Sequence, residues 1–224
     1  MGIFITFEGV EGCGKTTQMR LLKERLESAG ELVTATREPG GCPIADKIRA
    51  ILLDAENSAI VPLAELLLYA AARAQHVQEV ISPALSRGEI VLCDRFTDAT
   101  VAYQGHGREL DLVVIEQLNG LATGGVQPKL TVLIDCPVEI GLCRALARIE
   151  AVQGAREERF EQESVLFHER VRAGYLKLAA AHPDRFVVVD GSGDVLETEQ
   201  RVRAALAGRL PLGDAALLST AKAS

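Results

Sequence analysis

The stretch Gly9-Val10-Glu11-Gly12-Cys13-Gly14-Lys15-Thr16-Thr17 constrains this chain more than any other part of it. Ile3-Phe4-Ile5 precedes it as a short buried strand, and a helical spacing of Met19, Leu22, Leu26 and Ala29 follows, closed by Gly30. A glycine loop joining strand to helix lets backbone N–H groups curl round a chain of phosphates, and the helix N-terminus adds partial positive charge. Gly9 to Thr16 fits G-x-x-x-x-G-K-[ST], in which Lys15 reaches the β- and γ-phosphates and the Thr16 hydroxyl can ligate Mg²⁺. A mere glycine turn is the plain alternative, but the strand-loop-helix setting favours a nucleoside triphosphate site.

A chain of 224 residues can bury a substantial core, and a single α/β domain is the natural reading. Charge then limits the partners. Twenty-four Lys and Arg stand against 31 Asp and Glu, a net charge of −7, which disfavours sequence-independent nucleic-acid binding. Any anion site must be a local concentration of arginine in an acidic background. Five cysteines without C-x-x-C spacing, and four scattered histidines, indicate neither a disulfide framework nor a zinc site. The most apolar stretch, Ala59 to Ala74, is interrupted by Pro62, Glu65 and Arg73 and falls short of the ~20 residues that span a bilayer. With no basic-then-apolar leader, no membrane association and a reduced cytoplasm are expected.

Five apolar segments read as buried parallel strands of a three-layer α/β sandwich: Ile3–Thr6, Leu32–Ala35, Ile90–Cys93, Leu130–Ile134 and Phe186–Val189. Arg37-Glu38, Asp94-Arg95 and Asp135 follow three of them, and ligands in open α/β sheets bind at strand carboxyl ends. These residues should therefore converge on the phosphate loop. Ala64 to Arg87 reads as one long helix whose Leu66-Leu67-Leu68 is apolar all round, so one side can face the sheet and the other a second subunit. Phe167, Val171, Gly174 and Leu178 mark a further amphipathic helix. Residues 1–208 form the expected domain, and 209–224 an Ala/Ser tail that Pro211 and Gly213 break up.

Several residues carry chemistry. Asp94 ends a strand in the position of a Walker B carboxylate, where it can hold Mg²⁺ through its water shell beside Thr16; a helix N-cap is the structural alternative. Arg95 next to it suits bidentate phosphate binding, because the guanidinium fork matches phosphate geometry. Arg37 projects from a strand end ahead of Glu38-Pro39-Gly40-Gly41, where Pro39 biases Glu38 to extended backbone. Arg144, Arg148, Arg156 and Arg159 are either a solvated face or part of a lid, about residues 146–162, that closes over the donor nucleotide. Cys13 in the phosphate loop is either a reactive thiol activated by Lys15 and the helix terminus, or simply a small residue.

With Thr36-Arg37-Glu38-Pro39-Gly40-Gly41, Leu66-Leu67-Leu68-Tyr69-Ala70-Ala71-Ala72-Arg73-Ala74-Gln75-His76, Asp94-Arg95-Phe96 and Ala102-Tyr103-Gln104-Gly105, the phosphate loop makes the chain resemble bacterial-type thymidylate kinases over residues 1–208. The resemblance implies ATP + dTMP → ADP + dTDP with Mg²⁺, on a nucleoside-monophosphate-kinase fold, as a homodimer. It implies Tyr69 stacked on thymine, where the family more often has Phe, and Arg73 bonded to the base carbonyl, with Thr100 and Gln104 near the base edge. Arg37, Arg49 and Arg95 would surround the acceptor phosphate, with Glu38 beside them. Tyr103 would crowd the sugar 2′ position, and Glu11 would lie near the acceptor sugar and phosphate. Gly12 stands where eukaryotic-type relatives carry a loop arginine, which moves that role to the lid, to Arg148 first and Arg159 next. The lid stretch Ile149–Glu158 is longer than usual in relatives, Glu158 replaces a frequent Asp, and Ala99 a frequent Ser.

The acceptor phosphate is largely ionised at neutral pH, with a second pKa of ~6, so it can attack in line without a protein base. Two rival readings stay open. A thymidine kinase would need a carboxylate base, Glu38 or Asp94, but no arginine-rich acceptor side. A nucleotide switch would need no base pocket at all.

Overall fold

The computed structural model describes residues 2–151 and 159–210. Among them, β1 (Ile3–Glu8), β2 (Val33–Arg37), β3 (Ile90–Asp94), β4 (Leu130–Asp135) and β5 (Phe186–Asp190) form one parallel sheet in the order β2-β3-β1-β4-β5. Strand order reverses direction at β1, so the carboxyl end of β1 is the topological switch point, and the phosphate loop begins there.

Alternation along the central strands builds three layers. Ile5, Phe7 and Leu92 point to one face and pack with Leu22 and Leu26 of α1 (Lys15–Ser28), Val171 and Tyr175 of α8 (Val165–Ala181), and Val202 of α9 (Val195–Leu206). Phe4, Val91 and Cys93 point the other way, onto Val77, Ile81 and Ala84. The expected five-stranded sandwich is present, with one correction. The segment from Leu32 is not a buried strand: β2 starts at Val33, runs through Arg37 and lies at the sheet edge, and Leu32 is 71% exposed. An edge strand has one open flank, which relaxes the demand for apolar residues.

The remaining helices are α2 (Pro43–Leu53), α3 (Pro62–His76), α4 (Ser82–Ser86), α5 (Thr97–Thr100), α6 (Leu112–Thr123) and α7 (Val138–Ala151). Pro43 and Pro62 open their helices where a missing N–H costs nothing. Ser164 and Asp194 cap α8 and α9, the latter in a capping box with Glu197. The long helix expected over Ala64–Arg87 begins at Pro62 and contains a π-helical turn, Val77–Ile81, between α3 and α4. A second π segment, Val101–Gly107, follows α5 and lies on α8. There Gly174 matters, because a Cβ would sit 2.6 Å from the His106 ring.

Helix α7 crosses the phosphate loop at backbone contact distance. A Cβ on Gly12 would lie 1.9 Å from the Gly141 carbonyl oxygen, and one on Gly141 would lie 2.4 Å from that of Glu11. Residues 152–158 of the expected lid, with Arg156 and Glu158, and residues 211–224 of the expected tail lie outside the described residues. Among the described residues, no helix is long and apolar enough to cross a membrane.

Candidate active site at the carboxyl edge of the sheet

A cleft of about 760 Å³ opens above the carboxyl ends of β1, β2 and β3, a size suited to small-molecule ligands. Its floor is the phosphate loop, contributing Glu11, Gly12, Lys15, Thr16 and Thr17. Lys15 Nζ donates to the Val10 carbonyl at 3.1 Å, which holds the ammonium over the loop. Gly9 (φ 141°), Gly12 (φ 65°) and Gly14 (φ 99°) take backbone angles that L side chains rarely adopt. Gly9, Val10, Cys13 and Gly14 do not line the cleft with side chains; their part is the loop backbone. The Cys13 side chain is buried against Gly9, so of its two readings the structure favours the small packed residue over an accessible reactive thiol.

The Thr16 hydroxyl donates directly to Asp94 Oδ2 across the mouth of the loop. Asp94 caps no helix, since α5 is preceded by Phe96 without a side-chain cap. A hydroxyl and a carboxylate, both hard oxygen donors at the phosphate end of the cleft, fit Mg²⁺, which takes one or two protein ligands and completes its shell with water and phosphate oxygens. Among the described residues, no cluster of three or more His, Cys, Asp or Glu offers an all-protein metal cage.

Arg95 sits in left-handed backbone (φ 70°), its N–H bonded to the Phe7 carbonyl at 2.9 Å. Its Nη1 donates to the Gly9 carbonyl (2.9 Å) and to the Tyr175 hydroxyl (3.0 Å), and its Nη2 to Glu11 Oε1 (3.0 Å). The guanidinium also lies 4.8 Å from the Tyr103 ring centroid. Tyr103 in turn donates to Glu11 Oε1 at 2.5 Å, and His168 Nδ1 lies 3.3 Å from Glu11 Oε2. Burial alone would raise the Glu11 pKa. Arg95, the nearby His168 ring, Lys15 and Tyr103 outweigh it and hold the carboxyl well below the usual range. Behind this layer, Glu8 accepts from the Phe96 N–H and the Tyr175 hydroxyl, both at 2.7 Å. Burial and the nearby Asp98 push Glu8 up to about 8.

The cleft is lined further by Arg37, Glu38, Arg49, Tyr69, Arg73, Thr100, Tyr103 and Gln104, which the resemblance assigns to one acceptor and which the fold brings to one cavity. Arg37 and Arg49 are tethered on its rim, to Asp46 (3.1 Å) and the Pro39 carbonyl (2.9 Å). Arg73 is buried and donates to Glu38 (2.7 Å), Asn119 (2.7 Å), the Phe96 carbonyl (3.0 Å) and Thr100 (2.9 Å). Glu38 is thus fixed between Arg73 and His76, whose Nδ1 is 3.0 Å away. Burial, with Glu65 adding to it, pushes the Tyr69 hydroxyl up and keeps a neutral ring at the cleft wall.

Arg159 and Asp135 do not line the cleft. Arg159 is buried and ion-paired with Glu65 at 2.7 Å, and its Nε donates to the Leu52 carbonyl. Glu65 is an acidic residue in the first turn of α3, too remote in sequence to be paired with Arg159 by inspection. Asp135 likewise is taken by Arg172 in two bonds of 2.7 and 2.8 Å. Arg144 donates to the carbonyls of Gly191, Ser192 and Gly193, which leaves Arg148 as the described member of the cluster on the cleft wall, 61% exposed and 3.7 Å from Glu161. Glu8, Glu65, Asn119, His76, His168 and Tyr175 were missed as site residues. Only Glu8, a charge closing an apolar strand, carried a local signal.

Fold and cleft together define the P-loop nucleotide-kinase class, with the glycine loop as the floor of an arginine-rimmed cleft. The chain belongs to the thymidylate kinase family, whose model matches residues 7–202. It is 78% identical to the thymidylate kinase of Citrifermentans bemidjiense over 218 residues, 97% of each chain. It is 63% identical to that of Geobacter sulfurreducens over 211 residues, 94% of this chain and 99% of that one. The crystal structure of thymidylate kinase from Ehrlichia chaffeensis superposes with a TM-score of 0.72 at 35% identity, covering 92% of this chain and 98% of that one.

Proposed function

We propose that this chain converts dTMP to dTDP by moving the γ-phosphoryl group of ATP directly onto the acceptor phosphate. Family membership makes it a nucleoside monophosphate kinase. The observation that supports the finer reading is the position of Arg95, which bonds the phosphate loop at Gly9 and Glu11 while its guanidinium lies 4.8 Å from the Tyr103 ring on the acceptor side. Two polyanions brought side by side repel each other, and fixed cations offset that repulsion most where charge spreads in the transition state. Lys15 serves the donor phosphates, Arg95 the bridging group, Arg37 and Arg49 the acceptor. Arg148 on the cleft wall is, in this reading, the arginine that serves the transferring group. When bound, Mg²⁺ neutralises phosphate charge, and Thr16 with Asp94 would hold it. Tyr69, Arg73, Thr100 and Gln104 form the base pocket, and the Tyr103 hydroxyl held by Glu11 narrows the space beside the sugar.

An alcohol acceptor gains nothing from an arginine rim, and a nucleotide switch has no use for a second pocket. We further infer a cytoplasmic homodimer that binds neither nucleic acid nor membrane. The test is an ADP-release screen with every nucleoside monophosphate and with thymidine, run on the wild type, Lys15→Ala and Arg95→Ala. Turnover should be strongest with dTMP and absent with thymidine, and each variant should lose about a hundredfold or more in kcat/KM. Losses of tenfold or less in both variants would refute the site.

A further inference from the structure

Glu65 has no exposed surface, yet four donors converge on it. Gln104 Nε2 donates at 2.8 Å, Arg108 at 3.3 and 3.2 Å through Nε and Nη2, and Arg159 Nη1 lies 2.7 Å away. A carboxylate between two guanidinium groups can only accept hydrogen bonds. The side-chain amide of Gln104 therefore has one permitted orientation, with its NH₂ toward Glu65. Its carbonyl Oε1, which accepts nothing from the described residues, is left for the cleft that Gln104 lines. Arg73, on the same wall, can only donate.

We propose that Glu65 is a positioning residue for pyrimidine selection, locking Gln104 so that Oε1 and the Arg73 guanidinium present one acceptor and one donor to the base. This rests on the reading of the cleft as the dTMP site. Thymine offers the complement, an N3–H donor and an O4 acceptor. Cytosine offers the reverse, an N3 acceptor and an N4 amine. An amide free to rotate could serve both bases; a locked one confronts cytosine with two mismatches, and buried unpaired polar groups discriminate strongly.

The experiment measures kcat/KM for dTMP and dCMP, and KM for ATP, in the wild type, Glu65→Gln, Gln104→Ala and the double variant. In Glu65→Gln the dTMP/dCMP ratio should fall at least tenfold through a higher KM for dTMP, with KM for ATP unchanged, and the substitution should have no further effect on the ratio in the Gln104→Ala background. If circular dichroism shows that Glu65→Gln does not fold, Glu65→Asp takes its place, since the shorter side chain keeps the charge but not the reach to Gln104. A ratio within about twofold of wild type in a folded, active variant overturns the inference and leaves Glu65 a structural ion-pair residue. Wild-type protein that turns over dTMP and dCMP alike overturns the substrate reading instead, and this inference with it.

Discussion

Glu8 and Glu11 are two buried carboxyl groups three residues apart, and their surroundings drive them in opposite directions. Glu11 faces Arg95 and Lys15 and is held ionised, whereas burial and the nearby Asp98 push Glu8 up to about 8. Glu8 meets the Tyr175 hydroxyl, while the Arg95 guanidinium bonds Tyr175 and Glu11 directly. The linkage has a definite sign. Folding keeps a proton on Glu8 that the unfolded chain releases near its ordinary value of 4.5, so its contribution is whole below pH 4.5 and is lost as pH rises toward 8. Chemical denaturation of Glu8→Gln across pH 5–9 should show a flatter decline in stability over pH 5–8 than wild type. Parallel profiles would mean that Glu8 does not titrate there. Glu11 works the other way, stabilising above the ordinary carboxyl range and less as pH falls through it.

Elements meet here where side chains are absent. The crossing of α7 over the phosphate loop depends on Gly12 and Gly141, whose backbones leave no room for a Cβ. The crossing also explains why a loop arginine at position 12 does not suit this chain: α7 fills the space. Gly141→Ala should force α7 outward, costing about 1–3 kcal/mol as overpacking does, which lowers Tm by roughly 3–10 °C for a domain of this size. KM for ATP should rise with it; an unchanged Tm and KM would show that the helix shifts freely. None of this is legible locally, because Gly141 sits in an ordinary helical pattern. By contrast β1, the phosphate loop and α1 were readable, since strand, glycines and apolar period agree within thirty residues. The π turns were not, because backbone registers of this kind leave no mark on hydrophobic spacing.

At the scale of the molecule, α3 packs against α2 and α6 yet leaves Leu63 (54%) and Leu67 (48%) of α3 exposed, with Ile51 of α2 and Val113 of α6 also uncovered. Apolar surface of that kind is what a second subunit covers. Sedimentation should find a dimer, and Leu67→Glu should shift it to monomer; a wild-type monomer at micromolar concentration would remove the homodimer from the proposal. The division of labour between chain and fold follows from range. Residues 9–17 and the strand-end pairs Arg37-Glu38 and Asp94-Arg95 pointed to a phosphate site by themselves, because each chemistry is carried by neighbours in sequence, whereas the parts expected of Arg49 and Arg73 came only from the family resemblance. Where the charges go was decided only in three dimensions. Arg159 went to Glu65, Asp135 to Arg172, and the acidities of Glu8 and Glu11 were driven in opposite directions. An ion pair or a buried carboxyl takes its energy from whatever lies within a few ångströms, and those partners stand tens to more than a hundred residues apart along the chain.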